Sequence, residues 1–170
     1  MALTPQQLQQ LQADIAADPV LSQVPHTSDG ALEVADAYNA QASPVFWVWK
    51  TSLLEQDVYE TTSPDNPTWS WATYKAQTVQ DRDSWARMFN PGLVNPSLRQ
   101  TRDGWTAIFG GQGASLQQVN FLLALARRPA RRIEALLYVP TLGTGTPASP
   151  ANMGYEGTIS GSDVEQAWVS

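Results

Sequence analysis

Polar and apolar residues alternate at helical spacing from the start of the chain. Leu8, Leu11 and Ile15 fall on one stripe, and the glutamines between them face outward. Thr4 is a good N-cap, Pro5 suits the first helical position and Gln7 completes a capping box, so a helix is predicted from Pro5 to the stop at Asp18-Pro19. A second helix is predicted after Thr27-Ser28-Asp29, with Leu32, Ala35 and Tyr38 on one face. Val45 to Trp49 is β-prone, but Ser52 and Glu55 form another capping-box pattern, which makes the run a short extended link into a helix. Ser63 to Pro67 reads as a loop. Trp69, Trp71 and Tyr74 lead into a broken helical stretch to Phe89, ended by Asn90-Pro91-Gly92. Ser97 to Phe109 follows, with Leu98, Trp105, Ile108 and Phe109 apolar. Ser115 and Gln118 then cap a helix striped by Leu116, Val119, Leu122, Leu123 and Ala126. Pro129 interrupts, and Arg131 to Tyr138 is predicted as the last core helix, closed by Pro140.

From Pro140 the pattern is lost. The run to Gly157 is rich in Gly, Thr, Pro and Ser, and no Lys or Arg occurs after Arg132. A solvated segment of this composition buries too little apolar surface to offset its ordering entropy. Tyr155 to Ser160 is its one strand-like stretch, and Ser162 with Glu165 opens a short capped helix to Trp168. The expected architecture is therefore mainly α: a bundle of about six helices over residues 1–139, and an extended C-terminal arm over 140–170 holding a short β-strand. On this reading the arm is dispensable for folding and docks on another subunit.

The 170 residues suit one domain. The net charge of −6 opposes general nucleic-acid affinity, and only 15% of residues are charged, as in a surface largely covered by partners or in a compact monomer with a polar, uncharged surface. Zero cysteines exclude disulfides, thiolate metal sites and a cysteine nucleophile. The N-terminus has no basic start or apolar core of a secretory signal, and no apolar stretch approaches membrane-spanning length, so a soluble protein is expected.

The residue types of catalysis do not assemble in the sequence. His26, the single histidine, sits between Pro25 and Thr27 with no Gly-x-Ser-x-Gly elbow to present a serine. Asp81 and Asp83 would point to different sides of a helix, and Glu55 and Asp57 form the other acidic pair. The glycine pairs at 110–113 and 143–145 lack a phosphate-loop lysine. No catalytic residue, metal ligand or cofactor is assigned. The candidates are partner-binding residues instead. Arg127, Arg128, Arg131 and Arg132 could bind carboxylates of a neighbour, be a solvated helix boundary, or bind phosphate, in that order. Tyr155, Glu156, Ile159 and Trp168 of the arm are the matching anchors, with Glu156, Asp163 and Glu165 as carboxylates for such a socket. Trp47, Trp85 and Trp105 are expected in the core, whereas Trp69 and Trp71 lie beside the proline-rich loop.

Four stretches carry a resemblance. They are Leu8-x-x-Leu11-x-x-Asp14-Ile15-x-Ala17-Asp18-Pro19, Phe46 to Ser52, the Arg-rich segment before Glu134, and Gly143 to Gly157. Together they resemble small virion proteins of tailed bacteriophages, above all head–tail connectors or adaptors. The resemblance implies a non-enzymatic, mostly helical protein at the neck of the virion, assembled in the host cytoplasm. It also implies a ring of about twelve copies beneath the portal protein, gripping it with a C-terminal arm. A tail or nozzle protein would lie on the other side, no membrane would be involved, and DNA would enter only as channel contents. A head-decoration or other neck protein is the alternative within the particle. A small helical DNA-binding regulator using Arg127 to Arg132 is the alternative from another class.

Overall fold

A computed structural model of the chain describes residues 2–60, 68–90 and 92–170. The expected loop at Ser63 to Pro67 and the stop at Pro91 lie outside the described residues. The protein is mainly α. Helices α1 (Pro5–Ala17) and α2 (Ser28–Asn39) precede strands β1 (Trp47–Trp49) and β2 (Leu53–Leu54). Helices α3 (Glu55–Glu60), α4 (Trp71–Lys75) and α5 (Val79–Met88) lead to β3 (Leu93–Val94), then α6 (Arg99–Phe109) and α7 (Ala114–Leu125). Strand β4 (Arg127–Pro129), α8 (Arg132–Leu136), β5 (Tyr138–Val139), β6 (Asn152–Met153) and α9 (Gly161–Trp168) complete the order.

The chain forms two compact units. Unit 1 is Met1–Val48 with Pro129–Ser170, and unit 2 is Trp49–Arg128. The expected division at 139/140 is therefore corrected: the C-terminal segment belongs to the same unit as the N-terminus.

In unit 1 the first helix forms as its sequence dictates. Thr4 Oγ1 accepts from the Gln7 amide at 3.3 Å, and Gln7 Oε1 accepts from the Thr4 amide at 2.9 Å. Thr27 caps α2, accepting from the Gly30 amide at 3.1 Å. The buried face of α2 is Ala31, Val34, Ala35 and Tyr38, at the i, i+3, i+4, i+7 spacing, and Leu32 is 57% exposed rather than buried as expected. Gly30 is required by close approach, since a Cβ there would come within 2.0 Å of the Pro25 carbonyl oxygen.

The C-terminal segment completes this core, against the expectation of an arm without one. Tyr155, Ile159, Val164 and Ala167 are buried in one cluster with Leu11, Ile15, Val34, Tyr38 and Ile133. Helix α9 packs on α1 and α2. The stretch expected as a strand, Tyr155 to Ser160, pairs with a side chain instead: Asn39 Nδ2 donates to the Ile159 carbonyl and Asn39 Oδ1 accepts from the Ile159 amide, both at 2.9 Å. The strand actually formed is β6, whose Met153 and Asn152 oppose Tyr138 and Val139 of β5. That pairing also explains why α8 stops at Leu136, short of Tyr138. The terminal helix starts two residues earlier than expected, because Ser160 with Asp163 forms the capping box in place of Ser162 with Glu165. Ahead of β6, Gly145 (φ 76°) lies against the Phe46 ring, where any Cβ would collide at 2.0 Å.

Unit 2 buries Leu53, Val58, Trp69, Trp85, Phe89, Trp105, Phe109, Val119, Phe121 and Leu122 in its own core. The Ser52–Glu55 box does not form, because Leu53 and Leu54 pair antiparallel with Val94 and Leu93. The Ser115–Gln118 cap does not form either. Helix α7 begins after Gly113 (φ 63°), and Gln118 is turned inward, where its Oε1 accepts from the Ser70 amide at 2.8 Å. Leu98 and Leu116, expected on apolar stripes, are exposed, while Phe121 supplies burial the sequence stripe omitted.

Candidate functional site

A dense polar constellation lies in unit 1, where α1, α2 and α8 meet. Arg132, at the start of α8, reaches Asp14 of α1 and Asp18 just beyond it; its Nη2 lies 2.9 Å from an oxygen of each. Asp14 Oδ2 also accepts from the Tyr38 hydroxyl at 2.6 Å, and the guanidinium stacks 4.4 Å from the Tyr38 ring centroid. The second oxygen of Asp18 accepts from the amides of Val20 and Leu21 at 2.9 and 3.0 Å, fixing the turn after α1.

The electrostatics follow from these contacts. The Leu21 and Val20 amides, and then Arg132, hold the Asp18 carboxyl below its ordinary range. Burial raises the Tyr38 hydroxyl, reinforced by the Asp14 carboxylate that accepts its proton. Burial works against the charge on Arg132, but its bonds to Asp14 and Asp18 outweigh that and raise it. The group opens on a cleft of about 650 Å³ also lined by Gln41, Ser43 and Phe46. Each ionised member is engaged by an opposite charge, so the constellation is suited to clamping three helices rather than to moving a proton.

Arg127 and Arg128 belong to unit 2, Arg131 and Arg132 to unit 1. Arg131 Nη1 lies 3.5 Å from Oε1 of fully buried Glu134. That carboxylate also accepts from the Arg131 amide at 2.9 Å and from the Gly157 amide at 3.1 Å, tying the C-terminal segment to α8.

The expected arm anchors are internal. Tyr155 and Ile159 are buried, and the Tyr155 hydroxyl donates to the Thr158 carbonyl at 2.6 Å. Burial raises that hydroxyl too, with the Asp163 and Glu134 charges adding to it. Trp168 stacks on His26 with ring centroids 4.2 Å apart and 9° between planes, beside a cleft of about 260 Å³ lined by Gln12, Ile15 and Ser22. Of the carboxylates expected to grip a neighbour, Asp163 caps α9 and Glu165 accepts from the Ser28 hydroxyl at 3.0 Å. Glu156 is exposed.

In unit 2 Trp69, Trp71 and Trp85 form one aromatic cluster with neighbouring tyrosines and phenylalanines. Trp69 lies 5.0 Å from Trp85, 5.2 Å from Tyr59, 5.6 Å from Trp71 and 5.8 Å from Phe109. The Trp85 indole donates to the Tyr59 hydroxyl at 3.2 Å, and that hydroxyl donates to Glu55 at 2.5 Å. Trp85 and Trp105 are buried as expected, Trp47 is half-buried, and Trp71 is 49% exposed. On the β2–β3 ribbon the opposed pair Leu54 and Leu93 are 45% and 42% exposed. Sequence reasoning did not single these leucines out; the signal was available in the alternation Leu53-in, Leu54-out, once a strand rather than a cap is read there.

No family model, no curated protein and no solved structure matches the chain.

Proposed function

We propose that this chain is a structural, non-enzymatic component of a tailed-bacteriophage particle, acting at the head–tail junction as an adaptor between the portal protein and the tail. The motif resemblance that spans most of the chain motivates the reading. The observation that carries it further is the set of exposed apolar side chains in unit 2: the opposed leucines 54 and 93, with Trp71 at 49% and Leu98 at 52% exposure. Large apolar side chains held in the open suit burial against another protein.

The contact assigned from sequence to residues 140–170 moves accordingly. Tyr155, Ile159, Val164 and Ala167 of that segment are buried in the core of unit 1, so the portal-facing and neighbour-facing contacts are assigned to unit 2 and to the surface of unit 1. A nucleic-acid reading of the Arg-rich segment draws less support, because Arg131 and Arg132 are already paired with carboxylates.

The test is a knockout. Without the gene, electron microscopy should show filled or empty heads and free tails that fail to join, restored by the gene in trans. Joined, infective particles at wild-type yield would refute the adaptor reading.

A further inference from the structure

The cleft beside Arg132 holds polar capacity that the helix clamp leaves unused. Nη2 alone makes the contacts of Arg132 to Asp14, Asp18 and the Tyr38 hydroxyl. Among the described residues, the N–H groups of its Nε and Nη1 have no hydrogen-bond acceptor. Asp14 accepts through Oδ2 only, from Tyr38 and Arg132, and its Oδ1 accepts no hydrogen bond from them. Gln41 and Ser43 are exposed on the same cleft, and neither side chain is hydrogen-bonded to a described residue.

The rest of the lining is apolar, with half-buried Phe46 beside Pro44, Ala42 and Leu136. Phe46 is held by the Tyr138 ring, their centroids 5.0 Å apart, and its carbonyl accepts from the Ala130 amide at 2.7 Å. The Ala42 amide donates to the Ala130 carbonyl at 3.0 Å, and the Arg132 amide to the Ala40 carbonyl at 2.9 Å. The segment bearing Gln41, Ser43 and Phe46 is thus tied to the one bearing Arg132. The cleft is preformed, and all of it belongs to unit 1.

Charge selects the class of ligand. Two carboxylates stand against one guanidinium, so the lining is net negative and disfavours an anion, while a cation meets the unused N–H groups of Arg132. A neutral hydroxyl suits both sides, accepting from Arg132 through its oxygen and donating its proton to Asp14 Oδ1. Adjacent hydroxyls on one ring do both at once, and the C–H face of that ring matches the apolar lining. We propose that this cleft binds a carbohydrate. Arg132 and Asp14 grip neighbouring hydroxyls, Gln41 and Ser43 bond the rim of the sugar, and Phe46 receives its apolar face. At about 650 Å³ the cleft admits a mono- or disaccharide. The site is additional to an assembly role and does not depend on it.

The test is a titration of the isotopically labelled full-length chain with glucose, galactose, N-acetylglucosamine and lactose, followed through amide chemical shifts. At least one sugar should saturate at about millimolar affinity, with shifts concentrated at Asp14, Gln41, Ser43, Phe46 and Arg132. Acetate and ethylammonium, matched in concentration and ionic strength, should leave those amides unmoved. Gln41→Ala, at an exposed position, should weaken the sugar by about three- to tenfold. Arg132→Lys keeps the charge but removes the guanidinium donors, and should weaken it by about tenfold or more. Far-UV circular dichroism checks the fold of both variants, and Gln41→Ala decides alone if Arg132→Lys unfolds. The inference is overturned if no sugar gives saturable shifts, if the sugars shift only amides elsewhere, or if acetate or ethylammonium saturates this cleft instead. Sugar binding that the folded variants leave unchanged overturns it as well.

Discussion

Replacing Val164 by alanine separates a C-terminal segment that completes unit 1 from one that merely hangs from it. Val164 is 0% exposed and belongs to the cluster that includes Leu11, Ile15, Val34 and Tyr38. Truncation removes two carbons, about 1.6 kcal/mol of transfer free energy at roughly 0.8 kcal/mol per methylene. The site cannot collapse fully, because α9 is fixed at its start by the Ser160–Asp163 box and further along by the Ser28–Glu165 bond. The residual cavity brings the expected loss to about 2–3 kcal/mol. Against a domain stability of about 5–15 kcal/mol, that is large enough to read from a urea titration followed by circular dichroism. Hydrogen exchange assigns the loss: amides of α1 and α2 should lose protection in the variant while those of α6 and α7 keep theirs. A change below about 0.5 kcal/mol, with α1 and α2 protection intact, would refute the reasoning and return the segment to the status of a free arm.

Other outcomes follow from the same packing. Arg132→Leu should destabilise unit 1 by about 1–2 kcal/mol in denaturant titration, a figure reduced because a third of the side chain is exposed; a neutral result would show that the clamp is solvated. Asp18 is held below its ordinary range, so its contribution is fully present above the unfolded carboxyl value of about 3.9 and is lost as pH falls through the lower folded value. Accordingly Asp18→Asn should be less stable than wild type at neutral pH, and the gap should close on acidification below about pH 4; a gap independent of pH would contradict the assignment. Gly30→Ala should cost about 2 kcal/mol or more, since its Cβ would enter the Pro25 carbonyl, and a variant as stable as wild type in thermal melts would dispute that approach.

Local signals served well where a local cause decides the structure. The Thr4–Gln7 box and the break between α4 and α5 depend on a few adjacent residues and were legible in them. The C-terminal segment depends on distant ones. Tyr155 and Ile159 follow no helical or strand period, and what orders them, with the buried Val164 and Ala167 of α9, is packing against α1 and α2, with Asn39 acting as a backbone partner. The opposed Leu54 and Leu93 were hidden for a different reason: Ser52-x-x-Glu55 satisfies a cap pattern, and only the pairing with Leu93–Val94, some forty residues on, makes the stretch a strand.

The central claim is that this chain is built into a phage particle at the head–tail junction, and counting it there is the most direct measurement. Quantitative mass spectrometry of gradient-purified particles, scaled to the portal and major capsid proteins, should return about twelve copies per particle, the number a ring matched to the portal requires. Hundreds of copies, or none, would contradict the account.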